Sequence, residues 1–224
     1  MKTSNVINLV VIALLLCVTS CSSVKVVDSW KADNVATIKD KNILVIARTA
    51  NNQARIAFEQ EIANQLRAKN LKATESFKEL PHIEPNKQLT EEQTKALVQT
   101  IKNEGYNAIV LSVVKDYQES TKTTTDGGYY AGGTFGGVYP GYYGGFYGYY
   151  SYPMNYVSVG NYAPMTSTTT TVKNYVLETV TYNLDEPEGK QLIAVVTSKL
   201  EDPHSMSDNA KEYADKVMKS LSGK

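Results

Sequence analysis

The side chains able to carry acid–base or metal chemistry are few and scattered. His82 in "PHIEP" and His204 in "EDPHS" each stand near a carboxylate, the pairing that a general base or a metal ligand uses. The two share no metal-ligand spacing, and the prolines beside them mark surface loops. Glu186 and Glu188 are paired carboxylates, but they sit in "DEPEGK", a solvated turn rather than the two sides of a glycosidase cleft. "GGYYAGG" and "GGTFGG" are dense in glycine, yet neither follows a buried strand and opens a helix, the setting a phosphate loop needs. No G-x-S-x-G elbow is present. The expectation is a protein with no catalytic constellation, no metal site and no cofactor.

The cysteines point elsewhere. There are two, Cys17 and Cys21, both close to the N-terminus. Lys2 supplies a positive start, residues 6–18 form the apolar run "VINLVVIALLLCV", and the small residues Thr19 and Ser20 precede Cys21. That is the pattern of a secretory signal, too short for a comfortable membrane span. "VTSC" resembles the lipobox of bacterial lipoproteins, with Val18 where Leu is usual; "LLLC", ending at Cys17, lacks the small residue before the cysteine. The resemblance implies a signal peptide over 1–20 and a mature N-terminus at Cys21, lipidated with acyl chains such as palmitate. Each buried methylene of such a chain contributes ~0.8 kcal/mol, and two or more chains anchor stably. In such lipoproteins a serine after the cysteine, here Ser22, goes with the outer membrane. No acidic run follows Cys21, so the expected orientation is toward the periplasm.

A mature chain beginning at Cys21 has no further thiol to form a disulfide inside the domain, so it must be held by its apolar core. About 200 residues suffice for one core. The charges balance, 23 basic against 23 acidic, and no basic patch stands out, which argues against nucleic acid as a partner.

The elements that would position any site follow from periodicity. "VKVVDSWK" (24–31) is a short strand candidate, and "NILVIAR" (42–48) is a continuous apolar run suited to a strand buried on both faces. Asn51 and Asn52 offer helix caps. Ala54, Phe58, Ile62 and Leu66 then make one apolar stripe along a helix over about 52–69. "LKATESF" (71–77) reads as a strand, Thr90 with Gln93 as a capping box, and Leu97 and Ile101 as the buried side of a helix that stops near Gly105. "NAIVLSVV" (107–114) is another buried strand. The order β-β-α-β-α-β favours a sheet with parallel pairs. Two Thr- and Val-rich segments, 115–125 and 166–184, read as arms of a long antiparallel ribbon. In the second, Val172, Val176, Val180, Tyr182 and Leu184 share one parity, the mark of a half-buried strand. "QLIAVVTSKL" (191–200) adds a strand, and Ala210, Tyr213, Ala214, Val217, Met218 and Leu221 define an amphipathic helix over about 207–221. The predicted fold is α/β: one domain over 21–224, a single mixed sheet with helices packed on it, and a Thr-rich ribbon with a Tyr/Gly-rich tip at 127–165.

The lipobox, "VDSWK" just after it, "KNILVIARTANNQARIAFEQEIANQL", "EGYNAIVLSVV", the Tyr/Gly/Pro-rich insertion, the late strand pair and the final helix together resemble a family of small outer-membrane lipoproteins of Gram-negative bacteria. The α/β arrangement is also distantly similar to periplasmic domains of the curli-secretion lipoprotein and of the Tol translocation protein. The resemblance is one of architecture. It implies a periplasm-facing accessory protein and implies no activity.

Residues 127–165 contain eleven tyrosines, eleven glycines and no charge. Glycine at that density raises the entropy cost of ordering, which is unfavourable for a core. Tyrosine carries an apolar ring with a wet hydroxyl, so the paired Tyr142, Tyr143, Tyr149 and Tyr150 suit contact with lipid headgroups, glycans such as peptidoglycan, or another envelope protein. Two functions stay open. One is a non-enzymatic envelope binding module; the other is an enzyme or small-ligand carrier with a cleft that the sequence does not reveal.

Overall fold

The computed structural model describes residues 22–80, 87, 89–123, 129–131, 161–163, 169–203 and 205–222. In chain order these form β1 (Val24–Lys31), a 3-10 helix (Asp33–Asp40), β2 (Asn42–Arg48), α1 (Asn52–Ala68), β3 (Lys72–Glu75), a short 3-10 helix (Ser76–Lys78), α2 (Glu91–Asn103), β4 (Ala108–Thr123), β5 (Tyr129–Ala131), β6 (Asn161–Ala163), β7 (Thr169–Asn183), β8 (Leu192–Glu201) and α3 (Met206–Ser222). Six strands make one mixed sheet in the order β1-β8-β7-β4-β2-β3. β2 is parallel to both β3 and β4, and the remaining pairs are antiparallel.

Alternation along the strands divides the apolar residues between two faces. Leu44 and Ile46 of β2, Ile109 and Leu111 of β4, and Val180 and Tyr182 of β7 pack under α2 through Leu97, Val98 and Ile101. Ile43 and Val45, Ala108 and Val110, Leu177, Val196 and Leu200 pack on the other face under α1 and α3, against Ile62, Leu66, Tyr213 and Val217. The central strands β2 and β4 are thus apolar on both sides, as their unbroken runs require. Local signals set the helix ends. Asn51 Oδ1 accepts from Gln53 N at 2.9 Å and Ala54 N at 3.1 Å. Thr90 and Gln93 form the expected capping box, with Thr90 N donating to Gln93 Oε1 at 3.0 Å and Gln93 N to Thr90 Oγ1 at 3.2 Å. Past α2, Gly105 takes φ 84°, the left-handed conformation that glycine enters without a Cβ penalty.

Two expectations are corrected, and one element goes unforeseen. The strand read over 71–77 stops at Glu75 and becomes a 3-10 turn, because Ser76 and Phe77 turn inward to bond Glu59 on α1. The stretch 33–40 forms a 3-10 helix that periodicity gave no sign of. On α1 the buried side runs through Arg55, Glu59, Ile62, Ala63 and Leu66, while Ala54 and Phe58 are only half-buried. The ribbon is present as expected. β4 and β7 pair from Ala108↔Asn183 to Thr123↔Thr169, and β8 leaves them after Asn174↔Glu201. The pairs at 119, 120, 121, 122 and 123 have no third strand, giving five residues per side, about 17 Å at ~3.3 Å each. Farther along, Tyr129–Ala131 pairs antiparallel with Asn161–Ala163. The tip between these short strands, with Tyr142, Tyr143, Tyr149 and Tyr150, lies outside the described residues, as do Cys21, His82 and His204.

Candidate functional site

Among the described residues, the carboxylates singled out from the sequence lie in a turn. Glu186 and Glu188 sit in the β7–β8 turn, with Gly189 at φ 85°, and Glu188 is exposed. What the fold builds instead is a cavity of about 450 Å³ between α1 and α3, over the C-terminal end of β2. Its position follows from the topology. From β2 the chain crosses by α1 to β3 on one side, while β4 lies on the other side and is reached by α2 on the opposite face. Diverging connections of this kind leave a crevice at the carboxyl ends of parallel strands.

The floor is Ala47 of β2, Leu177 of β7 and Leu200 of β8, and the walls are Phe58 of α1 and Tyr213 of α3. These two rings lie 5.3 Å apart between centroids at 52°. A bulge between Val114 and Asp116 breaks the alternation of β4 beside the cavity, the usual effect of an extra residue in one strand. Behind the wall, Tyr213 Oη is 2.7 Å from Thr179 Oγ1, which is 2.7 Å from Ser112 Oγ, a buried hydroxyl chain joining α3, β7 and β4. Burial pushes the Tyr213 phenol up to about 12, against the pull of the Thr179 and Ser112 hydrogen bonds, so the hydroxyl stays neutral at physiological pH.

The strand end beneath the rim is locked by Glu59, which is fully buried. Its Oε1 accepts from Ala47 N at 3.0 Å, Arg55 Nε at 3.0 Å and Ser76 Oγ at 2.8 Å; its Oε2 accepts from Phe77 N at 2.7 Å. Arg55 Nη2 in turn donates to Leu80 O at 2.9 Å. A carboxylate so fully bonded, with no face open to the cavity, serves as a structural tie. Beside it, Arg48 Nη2 donates to Lys87 O at 2.8 Å, with the side chain on the α2 face of β2 with Leu44 and Ile46.

The first described residues are fastened to the same helix. Ser22 Oγ donates to Glu212 Oε1, Ser23 N donates to Glu212 Oε2 at 3.1 Å, and Ser23 Oγ lies 2.8 Å from Glu212 Oε2 and 2.9 Å from Asn209 Oδ1. Partial burial pushes the Glu212 carboxyl up, but the serine hydrogen bonds outweigh it and hold the group below the usual carboxylate range. Asn209 therefore touches both the N-terminal segment and the cavity.

Sequence reasoning missed the Arg55–Glu59 pair and Asn209, and each left a trace. Arg55 and Glu59 are spaced i,i+4 and lie on the stripe of Ile62 and Leu66. Asn209 stands four residues before Tyr213 and eight before Val217, a polar residue on the buried side of its helix. Among the described residues, no three His, Cys, Asp or Glu side chains converge on a common point, and no helix is long and apolar enough to cross a membrane.

No protein-family model matches the chain, and no curated protein matches it. Among solved structures it is similar to a PelC dodecamer from Paraburkholderia phytofirmans, at 14% identity, over 90% of this chain and 97% of that one, with a TM-score of 0.42. It is also similar to lipoprotein GNA1162 from Neisseria meningitidis, at 11% identity, over 80% of this chain and 96% of that one, with a TM-score of 0.37. Its structural neighbours thus include a bacterial lipoprotein.

Proposed function

We propose that the chain is a non-enzymatic accessory lipoprotein of the bacterial envelope, anchored in the outer membrane through lipidated Cys21 and facing the periplasm. It binds a partner, which is an envelope protein, peptidoglycan or the membrane surface, through its aromatic arm. The observation that carries this reading is the ribbon. β4 and β7 continue as a two-stranded arm after β8 has ended, and the chain between them carries the uncharged Tyr/Gly segment. The short tether fits the same picture. Ser22 and Ser23 are bonded to α3, and one Cα step of about 3.8 Å separates Cys21 from Ser22, which leaves no linker between a lipid and the domain.

The test has two arms. Cys21→Ala releases the protein from membranes on fractionation; a variant still fully sedimenting with membranes defeats the anchor. Changing Tyr142, Tyr143, Tyr149 and Tyr150 together to Ser lowers binding to liposomes, to peptidoglycan or to crosslinked partners. Equal binding to all three defeats the arm as a contact element. The cavity favours a second reading, a small-ligand carrier, because its volume falls among those of small-molecule sites, about 300–1,000 Å³.

A further inference from the structure

The cavity has a mainly apolar interior and a one-signed rim. Its inner surface is made by Ala47, Phe58, Leu177, Leu200 and Tyr213. The charged residues bordering it are Arg48 and Lys173; Lys173 shares the parity of Tyr175 and Leu177 on the cavity face, whereas Arg48 shares that of Leu44 and Ile46 on the other face, and no acidic residue borders it among the described residues. Lys173 is exposed, and its carbonyl accepts from Asp202 N at 2.8 Å, which places it beside the segment leading into α3. Beside the polar residues Thr49, Asn51 and Ser112, the lining carries Asn209. This side chain is 6% exposed, its Oδ1 is engaged by Ser23 Oγ, and its Nδ2 has no hydrogen-bond partner among the described residues. Turning the amide over would free the oxygen and engage the nitrogen, so one amide atom stays unsatisfied either way. A buried donor without a partner is costly and marks a place for an acceptor from outside. The first turns of α1 and α3 also border the cavity. Their leading amides are already bonded to Asn51 and Ser205, so these helix ends supply a favourable field for an anion rather than free donors.

We propose that this cavity binds a free long-chain fatty acid, its single acyl chain lying between Phe58, Leu177, Leu200 and Tyr213 and its carboxylate held at the rim by Lys173 and the Asn209 amide. The inference rests on the carrier reading and adds the ligand. A neutral apolar molecule would leave Asn209 Nδ2 unsatisfied and gain nothing from the Lys173 cation. A polyanion would meet an apolar interior that cannot solvate it. A single-chain acid satisfies both parts.

The experiment loads the full chain with the neutral probe N-phenyl-1-naphthylamine and displaces it with palmitate or with hexadecanol, which has the same chain and no charge. Palmitate is expected to displace one equivalent of probe at a concentration at least about tenfold lower than hexadecanol. Lys173→Glu, an exposed change, weakens palmitate about tenfold and leaves hexadecanol within about twofold. Met206→Asp, at the half-open mouth and favourable for a helix start, does the same. Ala54→Trp, which fills the cavity from α1, abolishes displacement by both ligands while the thermal transition is kept. Equal potency of palmitate and hexadecanol, or no effect of Lys173→Glu and Met206→Asp, overturns the fatty-acid assignment and leaves a carrier of a neutral ligand. Failure of the probe to bind, or binding unaffected by a folded Ala54→Trp, overturns the carrier reading itself and the assignment with it.

Discussion

Replacing Glu59 by Gln tests how the cavity floor is held. The change keeps the shape of the side chain and removes its charge and one acceptor oxygen. In the parent, Oε1 takes three donors and Oε2 takes Phe77 N. A glutamine that keeps its oxygen toward Ala47 N, Arg55 and Ser76 turns an NH2 against Phe77 N, donor facing donor. The opposite rotamer strands three donors instead of one. One buried donor without a partner costs about 1–3 kcal/mol, and leaving Arg55 buried without its counter-charge brings the total for a broken buried pair to about 3–5 kcal/mol. Against a whole-domain stability of roughly 5–15 kcal/mol that is a large fraction. With a urea m-value of about 2 kcal/mol/M, the midpoint should fall by about 1.5–2.5 M. Equilibrium urea unfolding followed by circular dichroism measures it. The double change Arg55→Met with Glu59→Leu removes both charges but also leaves Ala47 N, Phe77 N and Leu80 O without these partners, so it should cost at least as much as Glu59→Gln. A midpoint shift below about 0.3 M for Glu59→Gln, or a double variant more stable than that single one, would refute the account of Glu59 as the tie between β2, α1 and the 76–78 turn.

Other consequences can be checked separately. Glu212 has a lowered folded-state pKa, so its bonds to Ser22 and Ser23 are fully formed above the reference value of 4.5 and are lost as pH falls through the lower folded value. The Ser23 amide resonance should titrate with a midpoint below 4.5, and a midpoint at or above that value contradicts the tether. Tyr213→Phe removes the end of the hydroxyl chain while Thr179 keeps Ser112, so the expected loss is about 0.5–1.5 kcal/mol by denaturant unfolding; a loss above about 3 kcal/mol would mean that the phenol does more than donate one bond. Replacing residues 132–160 by a short turn should leave one cooperative thermal transition within about 4 °C of the parent, since the described residues on either side already close two apolar clusters. A broadened or lost transition would put the tyrosines in the core.

Local and periodic features were legible from the chain alone. Unbroken apolar runs at 42–48 and 107–114 require strands covered on both faces, and that is where β2 and β4 sit, at the centre of the sheet. Asn51, Thr90 with Gln93, and Gly105 set helix ends by bonds within a few residues, so their meaning needs no tertiary context. The parity of Val180, Tyr182 and Leu184 named the side of β7 that meets α2. Pairings between distant segments were decided only by the tertiary structure. "VKVVDSWK" does not reveal that it closes the sheet against β8, because strand period is the same beside any neighbour. Arg55 and Glu59 look like an exposed i,i+4 pair until β2, the 76–78 turn and Leu80 close around them and take away the water. The cavity is the extreme case. Ala47, Phe58, Lys173, Leu200, Asn209 and Tyr213 come from five elements, and no spacing along the chain encodes the gap between them. That gap exists because α1 and α3 lean on one face of a sheet whose parallel strands end beneath them, a relation among elements rather than within any one of them.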